Sequence, residues 1–171
     1  MWKQLRRVLR HRWLDESDVR RALPPAALAR LQDRVASAER GHGGEIRIYI
    51  EAGLPWSYLI RRASPRERAL TLFGKLRVWD TEHNNGVLIY LLLAERAIEI
   101  VADRGLTRAI PSEAWSALVS RMRQAFREGR FEEGLQQAVD EVSALLKRHF
   151  PLLEGQRKSN ELPDAPLIGD D

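Results

Sequence analysis

Acidic and amide side chains occur in three separate segments that a folded sheet would bring together. Asp80 and Asn85 belong to a polar stretch before an apolar run, Asp103 follows a second apolar run, and Glu113 lies at the start of an amphipathic segment. Carboxylate and amide oxygens are the ligands that calcium and magnesium prefer in proteins. These residues are therefore candidates for a divalent-cation site.

A predicted hairpin positions these candidates. Residues 87–93 and 97–102 are apolar runs of strand length, and a short connection around Glu95 separates them. Such a link joins only antiparallel neighbours, so the second strand ends beside the loop that precedes the first. This places Asp103 and Asp80 at one rim of the sheet. Two interpretations remain open: a cation site, or a solvated acidic rim in which Asp103 pairs with Arg104 or Arg77.

The remaining periodicity predicts helices around a mixed sheet. Residues 45–51 alternate apolar and polar side chains, which is typical of a half-buried strand. A helix that begins at Ser64-Pro65, with Glu67 as its capping partner, separates this strand from the hairpin, so the two strands should be parallel. Helical spacing recurs in the segments before residue 40 and after residue 112. The stretch "LPWSYLIRRASP" and residues 103–111 are predicted to be loops.

Composition excludes several kinds of site. The chain has no cysteine, which removes disulfides, thiolate metal sites and cysteine nucleophiles. Neither a GxSxG, Walker or HExxH motif nor a paired-histidine zinc pattern is present. No apolar run approaches the ~18 residues of a membrane span. Because the N-terminus also lacks the pattern of a signal peptide, a cytoplasmic location is expected.

The two ends of the chain differ in charge. Within the first thirteen residues, Trp2 and Leu5 recur at helical spacing among Lys and Arg side chains without an acid. This basic helix either docks to an anionic membrane surface or a membrane protein, or packs Trp2 and Leu5 onto the domain. Nucleic acid is not predicted as a partner, because no reading module or set of stacking aromatics accompanies the basic residues. Residues 152–171 are acidic and are predicted to be disordered or loosely docked on the domain.

An ordered series of motifs resembles the TPM domain family. Asn85-Gly86 precedes an apolar strand, Glu95-Arg96 forms a hairpin turn, Gly105-Leu106 follows the next strand, and residues 126–134 close a helix with a Phe-Arg-x-Gly-x-Phe-x-x-Gly pattern. The family includes a thylakoid lumen protein of photosystem II repair and many bacterial relatives. The resemblance covers residues 44–151, and the chain is similar to a soluble bacterial branch without a leader or anchor.

The resemblance implies a fold and a division of the chain. The expected fold is α/β, a three-layer α/β/α sandwich with a mixed sheet that contains a central β-hairpin. Residues 1–40 would form N-terminal basic and amphipathic helices, residues 41–151 the TPM-like domain, and residues 152–171 the acidic tail.

The resemblance also implies an activity. Family members have been linked to divalent-cation binding and, for the plant member, to acid phosphatase activity. The cation ligands expected here are Asp80, Asp103 and Glu113, with Asn85 shaping the loop. If phosphate esters are hydrolysed, the metal would polarise the phosphoryl oxygen and Arg104 would neutralise developing charge. A non-enzymatic adaptor that docks to a membrane through the basic helix is the alternative.

Overall fold

A mixed sheet lies at the centre of the molecule. The computed structural model describes residues 2–152 and 158–169, and within them the sheet has four strands in the order β3-β2-β1-β4. The strands are β1 (Glu45–Glu51), β2 (Gly86–Leu92), β3 (Ala97–Ala102) and β4 (Leu167–Gly169). β1 is parallel to β2 and β4, whereas β2 and β3 are antiparallel. The predicted hairpin and the predicted parallel pairing are both confirmed.

Helices cover both faces of the sheet. They are α1 (Trp2–Trp13), α2 (Glu16–Ala22), α3 (Pro25–Glu39), α4 (Trp56–Ile60), α5 (Pro65–Lys75), α6 (Arg104–Ala109), α7 (Ser112–Arg127) and α8 (Phe131–His149). Apolar side chains of α2, α3, α7 and α8 share one core, and those of α4 and α5 share a second. The α/β/α arrangement matches the expected fold. None of the described helices is long and apolar enough to cross a lipid bilayer.

β2 is buried on both faces, as its unbroken apolar run predicts. Val87 and Ile89 belong to the core under α3, α7 and α8, whereas Leu88 and Tyr90 belong to the core under α5. Successive side chains of a strand point to opposite faces, so a strand between two helical layers needs apolar residues at every position. β2 consequently anchors the hairpin and fixes where β3 ends.

Local hydrogen bonds explain where helices begin. Ser64 and Glu67 form the predicted capping box at the start of α5. Two segments predicted to be loops are instead short helices. Pro55 precedes α4, and Asp103 starts α6 by accepting the backbone N–H of Arg104 with its side chain. Elements this short carry too little periodicity to be recognised from sequence.

The C-terminal segment docks onto the sheet. Of the two expectations for this tail, disorder is wrong for residues 158–169, because β4 adds to β1 and Leu162 enters the second core. Arg47 of β1 donates to the carbonyls of Pro163 and Ala165, the latter at 2.8 Å. The segment covers the polar face of β1, so all 7 residues of this strand are buried rather than the predicted half. Residues 153–157 and 170–171 lie outside the described residues.

Candidate functional site

Asp103 lies at the rim of the sheet where β3 ends. Its backbone N–H donates to the carbonyl of Gly86 at 2.9 Å, which keeps it beside the start of β2. Its Oδ1 accepts the backbone N–H of Arg104 at 2.6 Å. The residue is buried, and its Oδ2 has no hydrogen-bond partner within the described part of the chain. A buried carboxylate oxygen without a donor is costly, and it marks a position where a bound cation would be stabilising.

Asn85 lies at the same rim, immediately before β2. Its backbone N–H donates to Thr81 Oγ1 at 3.1 Å, and its Nδ2 donates to the carbonyl of Gly43 at 2.7 Å. Its Oδ1 is buried and, among residues 2–152 and 158–169, finds no donor. Gly86 is required here, because a Cβ would lie 2.0 Å from the carbonyl oxygen of Val78. The loop before β2 is thus held close to the strand ends.

The other predicted ligands are engaged with neighbours in sequence. Asp80 is exposed and forms an ion pair with Arg77 at 2.6 Å, and Glu113 is exposed and accepts from Ser112 Oγ at 3.1 Å. Arg104 is exposed as the first residue of α6. In the described ranges no three His, Asp or Glu side chains are placed to hold a metal ion. The structure therefore brings Asn85 and Asp103 to one rim, while a site that includes Asp80 and Glu113 stays a prediction.

α1 turns large apolar side chains toward solvent. Trp2 and Trp13 are 79% and 80% exposed, and Leu5 and Leu9 between them are also exposed. Their spacing places them on one side of the helix. The interpretation in which the helix packs Trp2 and Leu5 onto the domain is therefore wrong, because both side chains are exposed. An apolar stripe of this kind is unusual on a surface without a partner.

The opposite side of α1 holds the helix to the body through polar contacts. Arg7 Nε donates to Glu95 at 2.7 Å, and its Nη2 donates to the carbonyl of Ala63. His11 is fully buried in its side chain, accepts the backbone N–H of Leu54 at its Nδ1 and contacts Glu95 through Nε2, each at 2.9 Å. Since Nδ1 accepts, Nε2 carries the proton that is donated to Glu95. Val8 on this side is partly buried and packs against the second core, so the helix is anchored by these polar contacts and one apolar side chain.

α4 continues the exposed apolar surface. Gln4 of α1 donates to the carbonyl of Leu59, which places α4 alongside α1. Trp56 and Ile60 of α4 are exposed. Together these side chains form what we call the α1–α4 surface: Trp2, Leu5, Leu9, Trp13, Trp56 and Ile60. Most of the large exposed apolar side chains in the described residues belong to it, with Leu70 and Trp79 elsewhere.

Unpaired positive charge accompanies this surface. Arg6 and Arg12 are exposed on α1, and neither has an acidic partner among the residues that the structure describes. Arg10, also exposed, donates only to the carbonyl of Ala94 at 3.5 Å. The surface therefore combines an apolar stripe, bordered by tryptophans, with guanidinium groups that have no acidic partner among the described residues.

A buried charge cluster lies at the start of β1. Lys158 of the C-terminal segment pairs with Glu39 Oε2 at 2.7 Å and with Glu45 Oε1 at 2.8 Å. Burial raises the pKa of Glu39 from 4.5 to about 7, and the nearby charge of Glu45 adds to the effect of burial. Burial lowers the pKa of the adjacent His42 to about 4. Sequence reasoning missed this cluster, and the only signal was charged residues on a strand that proves to be fully buried.

A second buried network lies at the other end of β1. Arg68 of α5 pairs with Glu51, and the hydroxyl of Tyr90 donates to Glu51 Oε2 at 2.7 Å. All these groups are buried, and the network lies between β1, β2 and α5. It satisfies the carboxylate fully, so it fixes the packing of α5 and offers no free ligand.

The architecture defines an α/β domain in which a mixed sheet lies between helical layers. The model of the TPM domain matches residues 17–145 of this sequence. The chain therefore belongs to the TPM domain family, as the motif series indicates. No curated protein matches the chain.

Solved structures show the same fold. The chain is similar to the BA42 protein of the psychrophilic bacterium Bizionia argentinensis, with 24% identity, a TM-score of 0.75, and coverage of 86% of this chain and 95% of that one. It is also similar to the N-terminal domain of a protein from P. gingivalis, with 23% identity, a TM-score of 0.61, and coverage of 77% and 83%. At these identities the similarity concerns the fold.

Proposed function

We propose that this TPM-domain protein docks peripherally to an anionic membrane through the α1–α4 surface. The observation that carries the proposal is the orientation of α1, whose polar side is buried against Glu95 while Trp2, Leu5, Leu9 and Trp13 face solvent. A helix that met only water would gain by the opposite orientation, since each buried large apolar side chain contributes ~1.5–3 kcal/mol.

The arginines beside the apolar stripe indicate that the membrane carries anionic lipids. Arg6, Arg10 and Arg12 are exposed beside the apolar stripe. Each Lys or Arg near an anionic leaflet contributes roughly 1 kcal/mol, and tryptophan prefers the level of the lipid headgroups. The cytoplasmic leaflet carries such anionic lipids, so the proposal places the protein at that surface. Docking of this kind requires neither catalysis nor a spanning helix.

Co-sedimentation with vesicles tests this function. Full-length protein is mixed with phosphatidylserine-containing vesicles, next to a variant that combines Trp2→Ser and Trp13→Ser. We expect the variant to bind at least about a hundredfold more weakly, because each of the two lost side chains removes ~1.5 kcal/mol or more and 1.4 kcal/mol is tenfold. Trp79→Ser is the matched control, since Trp79 is exposed but lies outside the α1–α4 surface.

Two results would overturn the docking proposal. One is that wild-type protein stays in the supernatant with phosphatidylserine vesicles. The other is that Trp79→Ser weakens binding as much as the double variant does, which would mean that exposed tryptophan in general, and not this surface, causes the association. Circular dichroism of each variant checks that the fold is intact before binding is compared.

A second candidate function is divalent-cation binding at the rim. It is favoured by the two buried oxygens without donors, Asn85 Oδ1 and Asp103 Oδ2. Both are hard ligands that suit calcium or magnesium. Asp80 and Glu113 would complete the predicted set only by leaving Arg77 and Ser112, their present partners.

Thermal unfolding with added calcium or magnesium tests the cation site. A ligand that binds the folded state raises the midpoint with concentration. We expect Asp103→Asn to abolish this rise while keeping α6, since Asn caps a helix as well as Asp does. Asp33→Asn is the control, because Asp33 is exposed and far along the chain from the rim. An unchanged midpoint with both ions in wild-type protein would contradict cation binding.

Phosphatase activity would be a consequence of this second candidate function, because it requires the bound cation. A bound cation would polarise a phosphoryl oxygen, and the exposed Arg104 next to Asp103 would bind the phosphate oxygens. Hydrolysis of a chromogenic phosphate ester that depends on the cation and falls with Arg104→Gln would support it. Hydrolysis that Arg104→Gln leaves unchanged would contradict this role of Arg104.

A further inference from the structure

A cavity of about 430 Å³ opens between the free edge of β3 and the helix α7. It lies away from the α1–α4 surface and is formed by β3, α7 and the start of α5. β3 is the outer strand of the sheet, so no further strand covers this edge within the described residues. The volume falls in the range of small-molecule sites, about 300–1,000 Å³.

The floor and one wall of the cavity are apolar. Ile100 and Ile110 are buried, and Val119 and Trp115 of α7 are partly buried and pack against the same core. α7 presents Trp115 and Val119 one turn apart on the side that faces the cavity. An apolar ligand body of a few carbon atoms would displace water from these side chains, which favours binding.

Trp115 also supplies an unused donor. Its Nε1 is buried and has no acceptor in the part of the chain that the structure describes. A buried indole N–H normally finds an acceptor, and leaving it without one is destabilising. Because Trp115 lines the cavity, a turn of the indole toward the cavity would let a ligand oxygen accept this N–H.

The mouth of the cavity carries an excess of positive charge. Arg66 of α5 lies 3.7 Å from Glu99 and donates to the carbonyl of Ile100. Arg123 of α7 also faces Glu99, and Arg66 and Arg123 partly offset the rise that burial causes in the pKa of Glu99. Arg123 has no ion pair among the described residues. Two guanidinium groups therefore face one carboxylate, which leaves one positive charge to be balanced.

We propose that this cavity binds a small organic carboxylate with an apolar body. The carboxylate pairs with Arg123 and accepts the indole N–H of Trp115, and the body lies on Ile100, Ile110 and Val119. One uncompensated cation matches a monoanion, and the apolar floor distinguishes this ligand from an inorganic anion. The site is separate from the proposed membrane contact, so either proposal can fail without the other.

NMR titration tests the carboxylate site on the full chain. The indole ¹H–¹⁵N signal of Trp115, assigned with Trp115→Phe, is followed as acetate, hexanoate or phenylacetate is added, with phenethyl alcohol as the neutral counterpart of phenylacetate. We expect saturable shifts with affinity rising from acetate to the larger acids, and weaker binding of the alcohol. Arg123→Gln should weaken phenylacetate about tenfold, since a hydrogen bond to a charged group contributes ~1.5–3 kcal/mol.

Arg127→Gln is the matched control, because Arg127 is exposed on the same helix but does not line the cavity. Its titration should follow that of the wild type. The proposal is overturned if no carboxylate shifts the Trp115 signal saturably, if the alcohol binds as well as the acid, or if Arg123→Gln and Arg127→Gln have equal effects.

Discussion

At the scale of single residues, charge buried along β1 governs how the sheet is covered. Glu45, Arg47 and Glu51 alternate with Ile46, Ile48 and Ile50, and all of them are buried. Each charged side chain meets a partner from outside the strand: Lys158, two carbonyls of the C-terminal segment, and Arg68. Buried charges are tolerated only when paired in this way.

Removing a partner from such a pair should be costly. Arg68→Leu would leave Glu51 buried with only the Tyr90 hydroxyl as a donor, so we expect a loss of about 3–5 kcal/mol in the free energy of unfolding. Urea denaturation measures it. Arg121→Leu breaks the exposed pair with Glu141 and should cost less than ~1 kcal/mol. Equal losses in the two variants would show that the Glu51 network is no more important than a surface pair.

The cluster at the start of β1 predicts a pH dependence. Burial raises the pKa of Glu39 from 4.5 to about 7, so between these values the folded chain binds a proton that the unfolded chain has released. This contribution to stability is complete below pH 4.5 and is lost as the pH rises through 7. His42 acts oppositely, because burial lowers its pKa from 6.5 to about 4.

A substitution can separate the pH-dependent contribution of Glu39 to stability from that of His42. Glu39→Gln removes only the first contribution, so the stability of the wild type relative to Glu39→Gln should fall as the pH rises from about 4.5 to about 7. Urea titrations of both proteins at several pH values give this difference. A difference that stays constant over the window would mean that Glu39 releases its proton at the same pH in the folded and unfolded chains.

At the scale of elements, α1 shows what periodicity can and cannot decide. Helical spacing at the N-terminus predicts the helix and an apolar side that contains Trp2 and Leu5, but it does not say which side faces the body. In the structure Arg7 faces the body, because it binds Glu95, which is 88 positions away in the sequence. The choice of buried face thus depends on a distant partner that no local pattern contains.

The anchor of α1 can be tested by hydrogen exchange. His11→Leu removes the acceptor of the Leu54 N–H and the donor to Glu95. An unsatisfied buried group costs ~1–3 kcal/mol, so amides of α1 should exchange about tenfold faster or more, while those of β2 stay protected. Leu9→Ala, on the exposed side of the same helix, should change little. Equal acceleration in both variants would contradict an anchor at His11.

The fold was predictable where local signals are strong. The hairpin, the parallel β1–β2 pair and the Ser64–Glu67 cap were all recognised from sequence and are confirmed. α4, α6 and β4 were missed because they are short. β4 pairs only with Tyr49–Glu51, across most of the length of the chain, and no local pattern reports such a pairing.

The candidate site was predictable only in part. Hairpin geometry correctly brought Asn85 and Asp103 to the same rim, because the end of β3 must return to the start of β2. Where the carboxylates of Asp80 and Glu113 point depends on their side-chain conformations. Each binds a partner within three residues in the sequence, and that partner competes with a cation for the carboxylate. The spacing of apolar residues in the sequence predicts the topology. Which of several nearby partners a carboxylate binds can be seen only when the side-chain positions are known.

For the molecule as a whole, the proposed membrane contact predicts that the exposed arginines beside the α1–α4 surface contribute to binding. Combining Arg6→Gln with Arg12→Gln should weaken binding to phosphatidylserine vesicles roughly thirtyfold, since each arginine contributes roughly 1 kcal/mol. Arg127→Gln with Arg148→Gln lowers the net charge equally on exposed positions elsewhere and should have a much smaller effect. If both pairs weaken binding alike, net charge rather than this surface attracts the protein.

Quenching of tryptophan fluorescence by brominated lipid tests whether the α1–α4 surface enters the bilayer. Three of the five tryptophans, Trp2, Trp13 and Trp56, lie on the α1–α4 surface. We expect brominated phosphatidylserine vesicles to quench the wild type strongly. A variant with Phe at these three positions should still bind, while its remaining Trp79 and Trp115 are not quenched. Bound wild-type protein without quenching, or equal fractional quenching of both proteins, would contradict insertion of the α1–α4 surface.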